Sequence, residues 1–557
     1  MRKYLILCLL LAGVYAQAEV WQWSAEVTGW VSAETKESPV AFLWVPEDCA
    51  QVRALVWGNH NMSEEDLFER PAFRRKMSEL GFAVLWITPG LDMKWDVETG
   101  CQTAFDGVLK DLAEKSGYTE LSTVPLVPLG HSAMATFPWN FAAWNPERTL
   151  AVISLHGDAP RTNLTGYGRE NLEWGRTRNI DGIPALMIMG EYEWWDARLR
   201  PALAFRMMYP QSCISFLCDA GQGHFDVSDH LVSYVNVFLE KAAALRLPSP
   251  SPSPSPSPSP SGLESMEPVV LKKVDVKGGW LAATWEPSGQ KRPKPAPYGS
   301  YRGNPHEAFW YADEEMARLT EAYYARSLGK QLPYLGFEYE GVLMPYDPNG
   351  HARYELRLTG DASLDAALRF KLEAHFLDST RTHLYNASDG PAALDASVIS
   401  VDRICGPVEK ESDSTFLIRF YHMGLNNPRR TAEIWLLAHS PSNNRYKSAV
   451  QQIRVVFPFS FSETEGRTIV LDALPNIDAS VAELPLRAHS TLNLDLPIYY
   501  YVKEGPAKVV GDRLVLTGIP PRSRFPLRVT VVAWQLDPSG RLPVQFGEGS
   551  FFVSGVR

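Results

Sequence analysis

Long apolar runs are missing from this sequence. Past the first twenty residues, no stretch reaches the roughly 18 consecutive apolar residues that a bilayer span requires, so no membrane span is expected. Cysteine is scarce, with 6 in 557 residues, which excludes a disulfide scaffold. Positive charge is not in excess. Lys and Arg total 54 against 64 Asp and Glu, a net charge of −10, and there is no long basic run. Binding a phosphate backbone needs a basic face, so nucleic acid is not an expected partner. Neither HExxH nor paired CxxC occurs, and no metal or other cofactor is expected.

What is present is ordinary globular material, 45% hydrophobic and 21% charged. The length predicts two to four domains. Arg2 and Lys3, the apolar stretch Tyr4 to Val14, and Ala16-Gln17-Ala18 have the layout of an export signal over residues 1–18. A mature chain starting at Glu19 and a secreted or periplasmic location are expected. Cys8 lies inside the apolar stretch, too early to carry a lipid anchor. Five cysteines follow. Cys49 and Cys101 sit near turn-like sequence and are candidates to pair, whereas Cys213 and Cys218 should face opposite sides of a strand.

Pro248 to Ser261 is a strict Pro-Ser alternation. Such sequence builds no core and favours an extended polyproline helix, which at about 3.1 Å per residue spans roughly 40 Å. It predicts a linker between two units that need not touch.

In the first unit, 19–247, strand-like and helix-like segments alternate. Strands are expected at Ala41–Val45, Val52–Trp57, Phe82–Ile87, Val124–Leu129, Leu150–Leu155, Ala185–Met189 and Ile214–Leu217. Helices are expected at Leu67–Leu80, Ala104–Lys115, Phe137–Trp144 and Val227–Leu245, the last started by Asp226. Near-continuous apolar strands between helices predict a doubly wound, mostly parallel α/β sheet. Functional residues then gather at the carboxyl ends of its strands.

One such end reads Gly130-His131-Ser132-Ala133-Met134, between a predicted strand and a predicted helix. A serine on so sharp a turn needs small neighbours, because its backbone is strained and its Oγ must project outward. The stretch resembles the G-x-S-x-G elbow of the alpha/beta-hydrolase family, and the resemblance covers most of 19–247. Met134 departs from the pattern, and is tolerated only if the helix stands away from the neighbouring strand.

The resemblance implies Ser132 as nucleophile and, on the loop between last strand and last helix, His224 as base. It puts the acid after the strand before last, at Glu193 by register, with Glu191, Asp196 and Asp158 left open. The oxyanion donors it implies are the N–H groups of Ala133 and, in Trp57-Gly58-Asn59-His60, of Asn59. His131, Trp194 and Trp195 are the expected substrate-binding residues.

Beyond Gly262 alternating strands dominate, as in Leu368-x-Phe370-x-Leu372 and Leu527-x-Val529-x-Val531. A helix capped by Asp313 carries an apolar stripe of Met316, Leu319 and Tyr323. Residues 262–480 are expected to form a β-rich, sandwich-like accessory region. Residues 481–557 resemble bacterial immunoglobulin-like repeats, carried by the run from Ile498 to Gln535. No catalytic constellation stands out there.

The expected protein is a secreted serine esterase acting on acylated polysaccharide through an acyl-enzyme. A serine peptidase and an inactive hydrolase-fold binding protein remain open.

Overall fold

The computed structural model describes residues 20–162, 170–193, 196–249, 267–286, 291–359, 364–377 and 398–555. The export signal, most of the Pro-Ser segment, Trp194 and Trp195 lie outside the described residues.

Eight strands form the first sheet: β1 (Trp23–Glu26), β2 (Val40–Trp44), β3 (Ala54–Asn59), β4 (Phe82–Thr88), β5 (Leu126–His131), β6 (Val152–Leu155), β7 (Pro184–Gly190) and β8 (Cys213–Asp219). Their order is β1-β2-β4-β3-β5-β6-β7-β8. β1 and β2 pair antiparallel and β2 meets β4 antiparallel; every later pair is parallel. All residues of β3 to β8 are buried. Helices on both faces require that, which is why these strands read as unbroken apolar runs.

The helices are α1 (Glu64–Glu69), α2 (Pro71–Leu80), α3 (Cys101–Ser116), α4 (Phe137–Trp144), α5 (Asp196–Met208) and α6 (Asp229–Arg246). The single helix expected over Leu67–Leu80 is two. Pro71 has no N–H and forces Arg70 into an extended conformation (ψ 125°), so one helix ends and the next begins with proline at its first turn. α6 is capped by Ser228, whose side chain accepts from Leu231 N–H at 3.1 Å, and not by Asp226. Asp226 instead accepts from Gly223 N–H at 2.9 Å and shapes the loop before the helix. Cys49 and Cys101 are both buried free thiols.

The second unit holds α7 (Glu314–Ala325), capped by Asp313 as expected, and strands from 2 to 10 residues long gathered in small sheets. No helix among the described residues is long and apolar enough to cross a membrane.

The two units pack together, contrary to the expectation that they need not touch. Phe309, Tyr311, Met316 and Tyr324 share one core with β8 and α6. Leu514, Leu527, Val529 and Phe551 share another with β1, β2 and α3. The described residues on either side of the Pro-Ser segment lie against each other. Lys272 N–H donates to Arg246 O at 3.0 Å, and Val274 N–H to Gly182 O at 3.1 Å. The chain that leaves at α6 comes back beside it.

Candidate active site

β5 ends at the elbow. Ser132 has φ +53°, a left-handed conformation that serine adopts only under constraint. The constraint is visible at Gly130, where a Cβ would lie 2.0 Å from Met134 O. The chain runs through a single tight turn, Ser132–Met134, before α4 begins at Phe137. Two other glycines make room around this turn, one for the methionine that breaks the G-x-S-x-G pattern and one for the residue after it. Met134 Cε lies 2.6 Å from where a Gly90 Cβ would stand, so its side chain fills the space beyond β4. A Gly157 Cβ would lie 2.0 Å from Ala135 Cβ, so the close approach to the β6 end is made one residue later.

His224 comes from the loop between β8 and α6. Its Nε2 lies 2.7 Å from Ser132 Oγ, and its Nδ1 lies 2.5 Å from Glu193 Oε2. Glu193 closes a short turn that follows β7 directly. The three side chains thus form one hydrogen-bonded chain, with hydroxyl, imidazole and carboxylate in the order that proton removal from a serine requires. Ala133 N–H follows the serine directly on this turn.

Two of the other acid candidates are engaged elsewhere. Glu191 accepts from Gly221 N–H at 2.8 Å and pairs with Lys447. Asp158 lies 3.5 Å from Arg198 Nε. Asp196 begins α5.

Asn59, the expected second oxyanion donor, lies in a strand and not on the loop after it. The strand extends two residues beyond its expected end, and Asn59 closes it opposite Ile87, fully buried. Its side-chain oxygen accepts from Leu91 N–H at 3.0 Å. Asn61 is the loop residue that reaches the elbow, with Nδ2 donating to His131 O at 2.9 Å. His131 is fully buried and does not line a substrate cleft. Its Nε2 donates to His224 O at 2.7 Å, and its Nδ1 faces Asn61 Nδ2 at 3.3 Å. It ties the base loop to the elbow.

Two residues the sequence reading passed over complete the support. Glu64 Oε1 accepts from His131 N–H at 2.7 Å, and Oε2 accepts from Asn61 and Met62 N–H at 3.2 and 3.0 Å. One buried carboxylate therefore staples the loop after β3 to the elbow. His156 Nδ1 accepts from Gly190 N–H at 3.0 Å and lies 4.0 Å from Glu193 Oε2. Its place after β6, in His156-Gly157-Asp158, was the one available signal. Glu64 had none, since acids are ordinary at the start of a helix.

Gly190 sets the spacing of the acid and base loops. A Cβ there would lie 2.2 Å from Gly223 O. Gly190→Ala therefore pushes the His224 loop outward by about 1 Å, and displacements of that size cost on the order of 10²-fold in turnover. The expected result is a fall of that order in kcat with an unchanged far-ultraviolet circular dichroism spectrum.

The second unit reaches the same loops. Besides the Lys447–Glu191 pair, Tyr192 OH donates to Ser448 O at 2.5 Å and Ser448 Oγ donates to Gly221 O at 3.0 Å. Nearby, Glu65, Glu69 and His422 converge with potential ligand atoms within 4.8 Å of one another. Arg403 stands 3.2 Å from Glu65 and 3.8 Å from Glu69 and supplies countercharge to both.

Burial sets the charge state of these groups. It pushes the Glu64 carboxyl up to about 7, the Glu65 carboxyl to about 8 and the Asp219 carboxyl to about 7. Burial holds His60, His131 and His156 well below the usual imidazole range and lowers His422 to about 3. Raised carboxyls favour folding in their protonated form, so their contribution disappears as pH rises through 7 to 8. Lowered imidazoles favour folding in their neutral form, so theirs disappears as pH falls below about 6.5. The two slopes oppose each other from about pH 4.5 to 6.5. Denaturant titrations across pH should give a plateau there and lower stability on both sides; a maximum at pH 8 or above would contradict this assignment.

No family model matches the chain, and no curated protein matches it. Solved structures do resemble its N-terminal part. S-formylglutathione hydrolase FrmB from Staphylococcus aureus is 12% identical, with 40% of this chain and 96% of that one covered and a TM-score of 0.27. An esterase from the archaeon Pyrobaculum calidifontis is 13% identical, covering 41% of this chain and 87% of its own, with a TM-score of 0.29. Est1E from Butyrivibrio proteoclasticus is 18% identical, covering 37% and 95%, with a TM-score of 0.25. Esterases and serine hydrolases of the alpha/beta-hydrolase fold are thus the neighbours of this part, at low identity. At such scores the functional reading rests on side-chain geometry.

Proposed function

We propose that this protein is a serine hydrolase that cleaves carboxylic esters. The observation that carries the reading is the continuous hydrogen-bonded chain Ser132 Oγ–His224 Nε2, His224 Nδ1–Glu193 Oε2. Ser132 Oγ attacks the carbonyl carbon as its proton passes to His224 Nε2. Glu193 holds the imidazole in the tautomer that can accept that proton and stabilises the imidazolium. Ala133 N–H donates to the developing oxyanion. Collapse of the tetrahedral intermediate breaks the C–O bond, and His224 returns the proton to the leaving alcohol. Water, deprotonated by the same imidazole, then releases the acid and restores Ser132.

The narrower substrate we propose is an acyl ester on a carbohydrate. The expected export signal and the large β-rich region support it, by analogy with enzymes that work on polymers. Within that region, residues 481–557 are our candidate immunoglobulin-like domain. A panel of aryl acetates, acetylated xylan and peptide anilides tests the function. Turnover of esters with no anilide cleavage is expected. Anilide cleavage at comparable rates would reassign the site to a peptidase.

A further inference from the structure

His351 stands in a turn of the second unit, between Asp347 and Arg353, whose ends are joined by Asp347 N–H donating to Arg353 O at 2.8 Å. Gln452 Nε2 donates to His351 O at 3.2 Å and ties the turn to the strand at 449–456. The residue as a whole is exposed, while its ring is partly covered by its neighbours. It stands edge-on to Phe225, with ring centres 5.1 Å apart at 87°, and its centre is 6.0 Å from that of His224. Trp435, also from the second unit, backs both rings, 5.2 Å from Phe225 and 6.1 Å from His351. A flat, polar, accessible side chain from a distant part of the chain is thus held beside the base.

Position relative to the base decides what such a group can touch. In the proposed reaction His224 hands its proton to the departing alcohol, so that alcohol must lie against His224. Groups flanking His224 meet the alcohol half of the ester, whereas the acyl half lies toward Ala133 N–H. We propose that His351 is a specificity-determining residue for the leaving alcohol, contacting phenolic or sugar alcohols through its ring face and nitrogens. The second unit then selects the alcohol, while the first performs the chemistry. Burial and the neighbouring His224 lower the His351 pKa, with Arg353 adding to and Glu193 opposing the effect. A neutral ring serves for stacking and for hydrogen bonding to a hydroxyl.

This inference rests on the esterase reading, and one experiment separates the two. Full-length wild type, His351→Ala and His351→Asn are compared on acetates of p-nitrophenol, glucose and ethanol. All three esters give the same acetyl-enzyme, so deacylation does not contain the alcohol. For His351→Ala, kcat/KM should fall about tenfold for the aryl and sugar acetates and less than twofold for ethyl acetate. The deacylation rate constant from the p-nitrophenyl acetate burst should stay the same, and Asn should recover part of the loss on the sugar ester. An equal loss across the three alcohols, a changed deacylation rate, or no change would each overturn the assignment to the alcohol. Wild type that neither hydrolyses these esters nor reacts with a fluorophosphonate removes the esterase reading and His351 with it. Wild type that does both, with selectivity unmoved by the substitutions, removes only the role of His351.

Discussion

Ser132→Ala is expected to abolish covalent labelling by a fluorophosphonate and to lower ester turnover by on the order of 10⁴- to 10⁶-fold. The size follows from what is removed. Without Oγ no acyl-enzyme forms, and His224 and Glu193 have no nucleophile to activate. What remains is Ala133 N–H and the binding surface, which accelerate attack by water only weakly. The fold should not notice. Alanine occupies the left-handed φ of +53° no worse than serine, and the turn around it is set by Gly130, Gly157 and Gly90. Stability should therefore stay within about 0.5 kcal/mol of wild type. Labelling that persists in the variant would place the reactive nucleophile elsewhere. A well-folded wild type that never labels would leave a hydrolase frame without its chemistry.

Residues 20–247 expressed alone should neither stay monomeric nor label. Cutting there uncovers the apolar surface that Phe309, Tyr311 and Tyr324 cover beside β8, and that Leu527, Val529 and Phe551 cover beside β1 and α3. Each large side chain transferred to water costs about 1.5–3 kcal/mol, against a total stability of about 5–15 kcal/mol for a domain. Polar losses add to this. Glu65, only 2% exposed, loses Arg403 and Tyr421, and Asp219 loses Tyr323. At the site, Glu191 loses Lys447 and Gly221 O loses Ser448, so the acid and base loops lose their outer support. Analytical ultracentrifugation and fluorophosphonate labelling report the two effects. A monomeric fragment that labels at the wild-type rate would show that the second unit is dispensable for both.

The first sheet was legible because its strands carry their burial in their composition. Phe82–Thr88 and Cys213–Asp219 are buried on both faces and read as apolar runs. Boundaries were less legible. The strand expected to stop at Trp57 continues through Gly58 and Asn59, because pairing with β4 and β5 outweighs the polar look of the sequence. That shift moves Asn59 from the expected loop into the strand. Ser132, His224 and Glu193 could be aligned from chain order, and the structure places the three in contact. His131 was misread because an exposed and a buried histidine look alike in sequence. The seam between the units left no local trace at all. Its contacts join residues hundreds of positions apart, such as Arg403 with Glu65 and Lys447 with Glu191. The Pro-Ser composition reports its own stiffness and nothing about where its ends are held.

The chain before and after that segment is held together, at Arg246 O and Lys272 N. A flexible connection between fixed ends grows costlier only with the logarithm of its length, about 0.6 kcal/mol for each doubling, but a stiff polyproline segment does not follow that rule. At about 3.1 Å per residue, each Pro-Ser pair sets the two ends of the tract roughly 6 Å further apart, and the residues between the tract and Lys272 must carry the chain back over that distance. Tract length is therefore expected to be limited by the residues outside the alternation, and added pairs are expected to strain that return before they disturb β8, α6 or α7.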